Sequence, residues 1–231
     1  GLLTLTDAVM PAHRVQAAVV QTGPIRKRRG WHSLKFVSLA QDSKEETNFV
    51  AAPFATLAEI WPIAHAAMIV APDAQTQFHR GVIKNWTIQI LLILPVILGA
   101  IVAVTLWADT TILRAMSLLL ILVFFVPYLW LDWRKYGYAL DGDQIYVKRG
   151  WWQEKLTIAP QVKVQTVEIY QGPIARRQGL ASVNFGISGG SLEMIALPLE
   201  TAQAIRDAVM EQVAAVDYAV VAGEARLSTN M

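Results

Sequence analysis

The chain has 231 residues, of which 54% are apolar and 16% are charged, and its formal net charge is +2. Ordinary soluble domains have about 25% charged residues, so this composition favours a protein that contacts a lipid bilayer. The absence of cysteine excludes a disulfide framework and a thiol nucleophile, and it is typical of a reducing compartment.

The first predicted unit covers residues 1–67 and is rich in β-strand patterns. A helical pattern closes it after Phe54, and Pro62 inside this pattern predicts a short or kinked helix. Residues 68–85 are predicted to form a linker.

The first unit contains a basic run, Arg26, Lys27, Arg28 and Arg29, which we place on a loop. A cation near an anionic lipid surface contributes about 1 kcal/mol to binding. The run is therefore a candidate site for anionic lipid or for a protein partner. A solvated turn beside Gly30 is the alternative, and the residues alone leave both open.

Two apolar segments follow, at 86–107 and 112–131. A helix rises about 1.5 Å per residue, so some twenty apolar residues cover a hydrocarbon core of about 30 Å. We therefore predict a transmembrane helix hairpin over 86–131. Four tryptophans at the segment ends are predicted membrane-interface anchors: Trp86, Trp107, Trp130 and Trp133. The alternative is a buried helical hairpin.

The expected orientation follows from the flanking charges. Arg80, Lys84, Arg134 and Lys135 flank the hairpin, whereas the short connection carries Asp109 and, at its edge, Arg114. Because basic flanks remain in the cytoplasm, we expect a multi-pass protein of the inner (plasma) membrane with its soluble domains cytoplasmic.

The second unit covers residues 134–217 and is more complete than the first. Asp141-Gly142-Asp143 predicts a hairpin turn. The pattern becomes helical after Pro198, and the tail at 218–231 is predicted to be disordered. Further strands are predicted at Trp152–Ile158, Val162–Tyr170, Ser182–Ile187 and Glu193–Leu197.

The two units repeat each other. The repeated motif has glycine and proline in the same register in both copies, namely Gly23, Pro24 and Gly30 in the first and Gly172, Pro173 and Gly179 in the second. The basic run is reduced to Arg176 and Arg177 in the second copy, which makes these two residues a weaker candidate for the same binding role.

The first copy has no counterpart of residues 136–149. A domain without its opening hairpin would expose a sheet edge, which favours a chain that is cut within a domain. We also interpret the sequence as the C-terminal part of a longer chain.

Several motifs carry a resemblance: two apolar helices, then Tyr136-Gly-Tyr-Ala-Leu-Asp-Gly-Asp143, then Gln171-Gly-Pro-Ile-x-Arg-Arg-x-Gly179 and Leu197-Pro-Leu199. In these the chain resembles the bacterial pleckstrin-homology-like (PH-like) family, and more narrowly the YdbS/YdbT-like membrane proteins. The resemblance implies an α+β fold, with two antiparallel sheets forming a partly open barrel and a C-terminal capping helix. It implies no catalytic residues.

No catalytic, metal or cofactor motif is found. His13, His32, His65 and His79 stand alone in the sequence. Asp141 and Asp143 are interpreted as turn residues, because a calcium loop needs more oxygen ligands. Trp151 and Trp152 are expected on a strand, with one side chain facing the core and the other the surface.

Two classes of function fit these features. The first is a non-enzymatic membrane scaffold with tandem PH-like domains, which binds anionic lipid, a protein partner or a second copy of itself. The alternative is a component of a transport or channel assembly, although the apolar segments carry few polar groups. Nucleic-acid binding is not expected, because an extended basic face is missing.

Overall fold

The computed structural model describes residues 11–38, 48–107, 123 and 127–215. The tail predicted at 218–231 lies outside these residues. The elements in chain order are β1 (Val15–Thr22), α1 (Pro24–Arg28), β2 (His32–Ser38), β3 (Asn48–Ala55), α2 (Leu57–His65), α3 (Ile83–Trp107), β4 (Gly137–Asp141), β5 (Gln144–Arg149), β6 (Glu154–Pro160), β7 (Val164–Tyr170), α4 (Pro173–Arg177), β8 (Leu180–Ile187), β9 (Gly190–Pro198) and α5 (Leu199–Ala215).

The described strands form two antiparallel sheets, which confirms the sheet content of the expected fold class. The larger sheet has six strands in the order β3-β2-β1-β6-β5-β4, and the smaller one has three in the order β7-β8-β9. Helix α5 packs on the smaller sheet through the buried side chains of Ala202 and Val209.

The prediction of a transmembrane hairpin at 86–131 is wrong. Within the described parts of the chain, no helix has both the length and the apolar character needed to cross a membrane. The first segment lies in α3, which begins at Ile83 and so includes Lys84, and only residue 123 and residues 127–131 of the second are described. A crossing depends on the length and the apolar character of the whole helix, which a run of apolar residues in the sequence does not fix.

The repeat is visible as the same order of elements. A 3-10 turn (Ala12–Arg14), β1, α1, β2, β3 and α2 recur as a 3-10 turn (Gln161–Lys163), β7, α4, β8, β9 and α5. Helix α2 has nine residues and α5 has seventeen, which confirms the prediction that the helix containing Pro62 is the shorter one.

The sheet edge expected at the first copy is covered. Strand β1 pairs with β2 on one side and with β6 on the other, where Ala18 faces Ile158 and Thr22 faces Glu154. The strand that follows the second copy's opening hairpin thus supplies a neighbour for the edge that a missing hairpin would otherwise leave exposed.

Strands β1, β5 and β6 separate two cores. The α2 core contains Leu34, Ile60, Ile69 and Ile158, and the α5 core contains Val183, Phe185, Met194, Leu197 and Val209. Alternate residues of one strand point to opposite faces, so Tyr146 packs in the α2 core while Ile145 and Val147 pack in the α5 core. The larger sheet thus has apolar side chains buried on both faces.

Candidate functional site: a basic and aromatic surface

The basic run lies on helix α1 and the residue after it, not on a loop. Pro24 occupies the start of the helix, where its missing N–H and preset φ are favourable. Gly30 ends the run with a φ of +70°, a conformation that glycine adopts without steric cost, and its N–H donates to the Lys27 carbonyl at 3.1 Å. The equivalent Gly179 has a φ of +68°.

The cations of the run have different partners. Lys27 Nζ lies 2.7 Å from a carboxylate oxygen of Glu154, and Lys135 Nζ lies 3.0 Å from the other oxygen. The guanidinium of Arg26 lies 4.7 Å from the centre of the Phe54 ring, and that of Arg29 lies 5.2 Å from the Trp31 ring. Such cation–π contacts hold a guanidinium at an aromatic face without neutralising its charge.

Glu154 joins α1 to the end of the helical segment 127–135. Burial raises the pKa of this carboxyl, but hydrogen bonds from Lys27 and Lys135 outweigh burial and hold the pKa below its ordinary value. The carboxylate therefore stays charged at neutral pH and fixes the two ammonium groups in place.

Large apolar side chains are exposed beside the cations. Ile25 is 76% exposed, Phe54 is 59% exposed and Trp152 is 60% exposed. The rings of Trp31 and Phe54 meet edge to face at 6.0 Å. We call the set of Ile25, Arg26, Arg28, Arg29, Trp31, Phe54 and Trp152 the basic–aromatic surface.

A groove of about 510 Å³ runs through this surface. Residues of the first three strands form its floor, namely Gln21 on β1, Ser33 and Lys35 on β2 and Val50 on β3. Among the described residues that line it, Arg26 and Lys35 are cationic and none is acidic. The groove therefore suits an anion better than a cation.

The aromatic character extends toward the helical segment 127–135. Trp152 contacts Trp151 with ring centres 5.5 Å apart, and Trp151 contacts the exposed Tyr128 at 5.9 Å. The two tryptophans lie on a bend before β6 and not on a strand, so that expectation is corrected. Trp152 is exposed and Trp151 is half-buried.

The predicted interface anchors have different environments. Trp130 is exposed, with the Arg134 guanidinium 5.2 Å from its ring. Trp133 is half-buried, packs against the α5 core and donates its indole N–H to the Gly81 carbonyl at 2.9 Å. The side chains of Trp86 and Trp107 lie outside the described residues.

The second copy presents a smaller basic site. Arg176 and Arg177 are exposed on α4, which begins with Gly172 and Pro173 as α1 begins with Gly23 and Pro24. In the part of the chain that the structure describes, neither arginine lies over an aromatic ring. The structure thus gives aromatic partners to the first basic run and not to the second.

A second groove, of about 560 Å³, lies at the β4–β5 turn and is lined by Met68, Asp141 and Asp143. Asp141 accepts a hydrogen bond from the Thr76 hydroxyl, and Asp143 accepts one from the Gln212 amide. Of the residues that the structure describes, no group of three or more histidines or carboxylates is placed to hold a metal ion.

Sequence reasoning found the cations but not the residues around them. Ile25, Trp31, Lys35 and Phe54 were not predicted as site residues. Trp31 and Ile25 adjoin the basic run, which was a usable signal. Phe54 reaches it only because β3 pairs with β2, where Ala55 faces His32, and no local pattern encodes that pairing.

Comparison with known proteins identifies a family for this chain. A family model described as Bacterial PH domain matches residues 89–213, which is more than half of the chain. No curated protein and no solved structure matches. On the family match, the chain belongs to the bacterial PH domain family.

Proposed function

We propose that this chain is a non-catalytic binding protein whose basic–aromatic surface docks on anionic lipid headgroups. Membership in the bacterial PH domain family suggests a binding or scaffold role of this kind. The observation that carries the proposal is that exposed cations and exposed aromatic rings alternate on one surface. The narrower likeness to the YdbS/YdbT-like proteins, the tandem domains and the cytoplasmic location stay predictions.

The charges support an anionic partner. Arg26, Arg28 and Arg29 have no carboxylate partner among the described residues, and Lys35 adds a further cation on the groove floor. Such cations attract a negatively charged lipid surface over about a Debye length.

The exposed apolar groups support a lipid partner over a purely polar one. Aromatic rings prefer the interfacial zone of a bilayer, where they contact both headgroups and acyl chains. Phe54, Trp152 and Ile25 would each lose exposed apolar area on insertion. The cations of the surface therefore account for attraction to anionic headgroups, and its exposed apolar side chains account for partition into the bilayer interface.

The test is binding of the full chain to vesicles of phosphatidylcholine with and without phosphatidylglycerol. The variant R26S/K27S/R28S/R29S should bind the anionic vesicles about a hundredfold more weakly, since Arg26, Arg28 and Arg29 each contribute about 1 kcal/mol whereas Lys27 is already paired with Glu154. Trp152→Ala should weaken binding severalfold even at high salt, because its contribution is apolar.

The matched control is R176S/R177S, which removes the arginines of the second copy from α4. It should leave vesicle binding within about twofold of the unchanged protein. Equal binding by the four-residue variant, or equal binding to neutral and anionic vesicles, would remove the proposal.

A further inference from the structure

Strand β7 is an edge of the three-stranded sheet. Among the described residues it pairs only with β8. Gln165, Thr166, Glu168 and Tyr170 are exposed along it, and Tyr170 is 68% exposed. An edge strand presents backbone N–H and C=O groups that can pair with another strand.

The other three sheet edges carry features that oppose such pairing. Strand β3 contains Pro53 and two register irregularities. His79 exchanges two backbone hydrogen bonds of 2.8 Å with Tyr138 on β4, and Val82 N–H donates to the Ala196 carbonyl on β9. Strand β7 has one irregularity near its start but contains no proline, lysine or arginine.

The internal repeat shows how the equivalent edge in the first copy is paired. Strand β7 is the equivalent of β1, and β8 is the equivalent of β2, so the free edge of β7 corresponds to the edge of β1 that pairs with β6. That pairing is antiparallel and covers Ala18 to Thr22.

Apolar residues of β1 are more buried than their equivalents on β7, as expected if the edge of β7 lacks a partner strand. Ala18 and Val20 on β1 are 0% and 5% exposed. Their equivalents on β7, Val167 and Ile169, are only partly buried at the margin of the α5 core. A strand added to this edge would bury the remaining apolar area of both side chains.

We propose that β7 pairs antiparallel with β7 of a second copy of this chain, centred on Val167, to form a twofold-symmetric dimer with one continuous sheet. A second copy cannot offer β6, because β6 is already paired with β1 and β5. Of the edges that the described part of a second copy does offer, β7 is the one without a proline or a covering backbone segment.

Charge excludes the register next to this one. Centred on Val167, the pairing places Glu168 opposite Thr166 of the partner subunit, and no like charges meet. Centred on Glu168, it places two carboxylates directly opposite each other, which is destabilising. An interface formed by the same strand from both copies closes at two subunits.

The absence of cysteine allows a direct test with the full chain. In the proposed register the two Val167 Cα atoms are about 4.5–5.5 Å apart, within the range of a disulfide. Val167→Cys should therefore form a disulfide-linked dimer under mild oxidation. Ile169→Cys is the matched control on the same face of the same strand. Its two copies would lie about 13 Å apart, too far to crosslink.

Sedimentation of the unchanged protein provides a second readout. It should show a concentration-dependent dimer, and Thr166→Lys should tighten it severalfold at low salt, because the introduced ammonium group would face Glu168 of the partner subunit. A protein that stays monomeric at all concentrations, or equal crosslinking at positions 167 and 169, would overturn the proposal. Loss of vesicle binding would not, because the basic–aromatic surface uses other residues.

Discussion

Glu154 is the residue through which distant parts of the chain meet at the binding surface. Its carboxylate holds Lys27 of α1 and Lys135 after the helical segment 127–135, and all three side chains are partly exposed. Partly exposed ion pairs stabilise a protein by roughly 1 kcal/mol or less. The main effect of Glu154 is therefore to hold the ammonium groups of Lys27 and Lys135 in place.

We expect Glu154→Gln to lower the free energy of unfolding at pH 7 by about 0.5–1 kcal/mol. The pKa of Glu154 is lowered in the folded state, so its contribution is complete above the ordinary carboxyl pKa and is lost as the pH falls through the lowered value. Urea titrations of both proteins should therefore differ at pH 7 and coincide near pH 2–3.

Glu168→Gln is the control for this pH dependence, because Glu168 forms no ion pair among the described residues. A loss that is equal at both pH values would show that Glu154 acts through packing and not through its charge.

Strands β1 and β7 are equivalent in the repeat but differ in burial. Strand β1 is buried almost along its whole length, whereas β7 alternates between exposed and partly buried residues. Ala17 and Val19 of β1 belong to the α5 core, and their equivalents Thr166 and Glu168 are exposed. The first copy thus has apolar residues on the face of β1 that packs in the α5 core.

Helices α2 and α5 differ in one residue that restricts the backbone, because Pro62 of the first copy aligns with Asp207 of the second. A proline inside a helix removes one backbone hydrogen bond and costs about 3 kcal/mol. Pro62→Ala should therefore raise the unfolding free energy by about 1–3 kcal/mol, and Asp207→Pro should lower it by about 3 kcal/mol.

Both values can be measured by urea unfolding, with helix content followed by circular dichroism. If Pro62→Ala gave no gain, the end of α2 would be set by its packing through Ile60 and Ala64 and not by the proline.

The sequence predicted the local turns and strands better than it predicted which distant segments pack together. The Asp141-Gly142 turn, with Gly142 at a φ of +53°, and the strands after it were confirmed, because alternation and glycine or proline positions act over a few residues. The prediction of a transmembrane hairpin was wrong, because the apolar character of a segment does not by itself decide whether the helix it forms can cross a bilayer. The cations of the basic run were named, but Phe54 and Trp152 beside them were not, because these come from β3 and from the bend before β6.

At the scale of the whole molecule, the two cores share one set of strands. Ile158 of β6 packs in the α2 core and the adjacent Ala159 packs in the α5 core. Loss of either core would leave one face of the same strands uncovered, so the two cores should not unfold separately.

We therefore expect a single unfolding transition. Ile60→Ala in the α2 core and Phe185→Ala in the α5 core should each cost about 2–5 kcal/mol, since both side chains are fully buried. Circular dichroism and tryptophan fluorescence should shift together in both variants. Two separate transitions, each moved by only one variant, would show independent cores.

The sequence by itself determined much of the local structure of this protein: most strands, the turns, the repeated order of elements and the run of cations beside Gly30. These follow from side-chain periodicity and from glycine and proline, which act on the nearest residues. Only the tertiary structure decided that β1 lies against β6, that Glu154 joins Lys27 to Lys135, and that Phe54 and Trp152 flank the cations. The reason is that strands far apart in the chain pair in the arrangement that buries their apolar faces. Which strands become neighbours therefore depends on all the strands together and not on any local pattern.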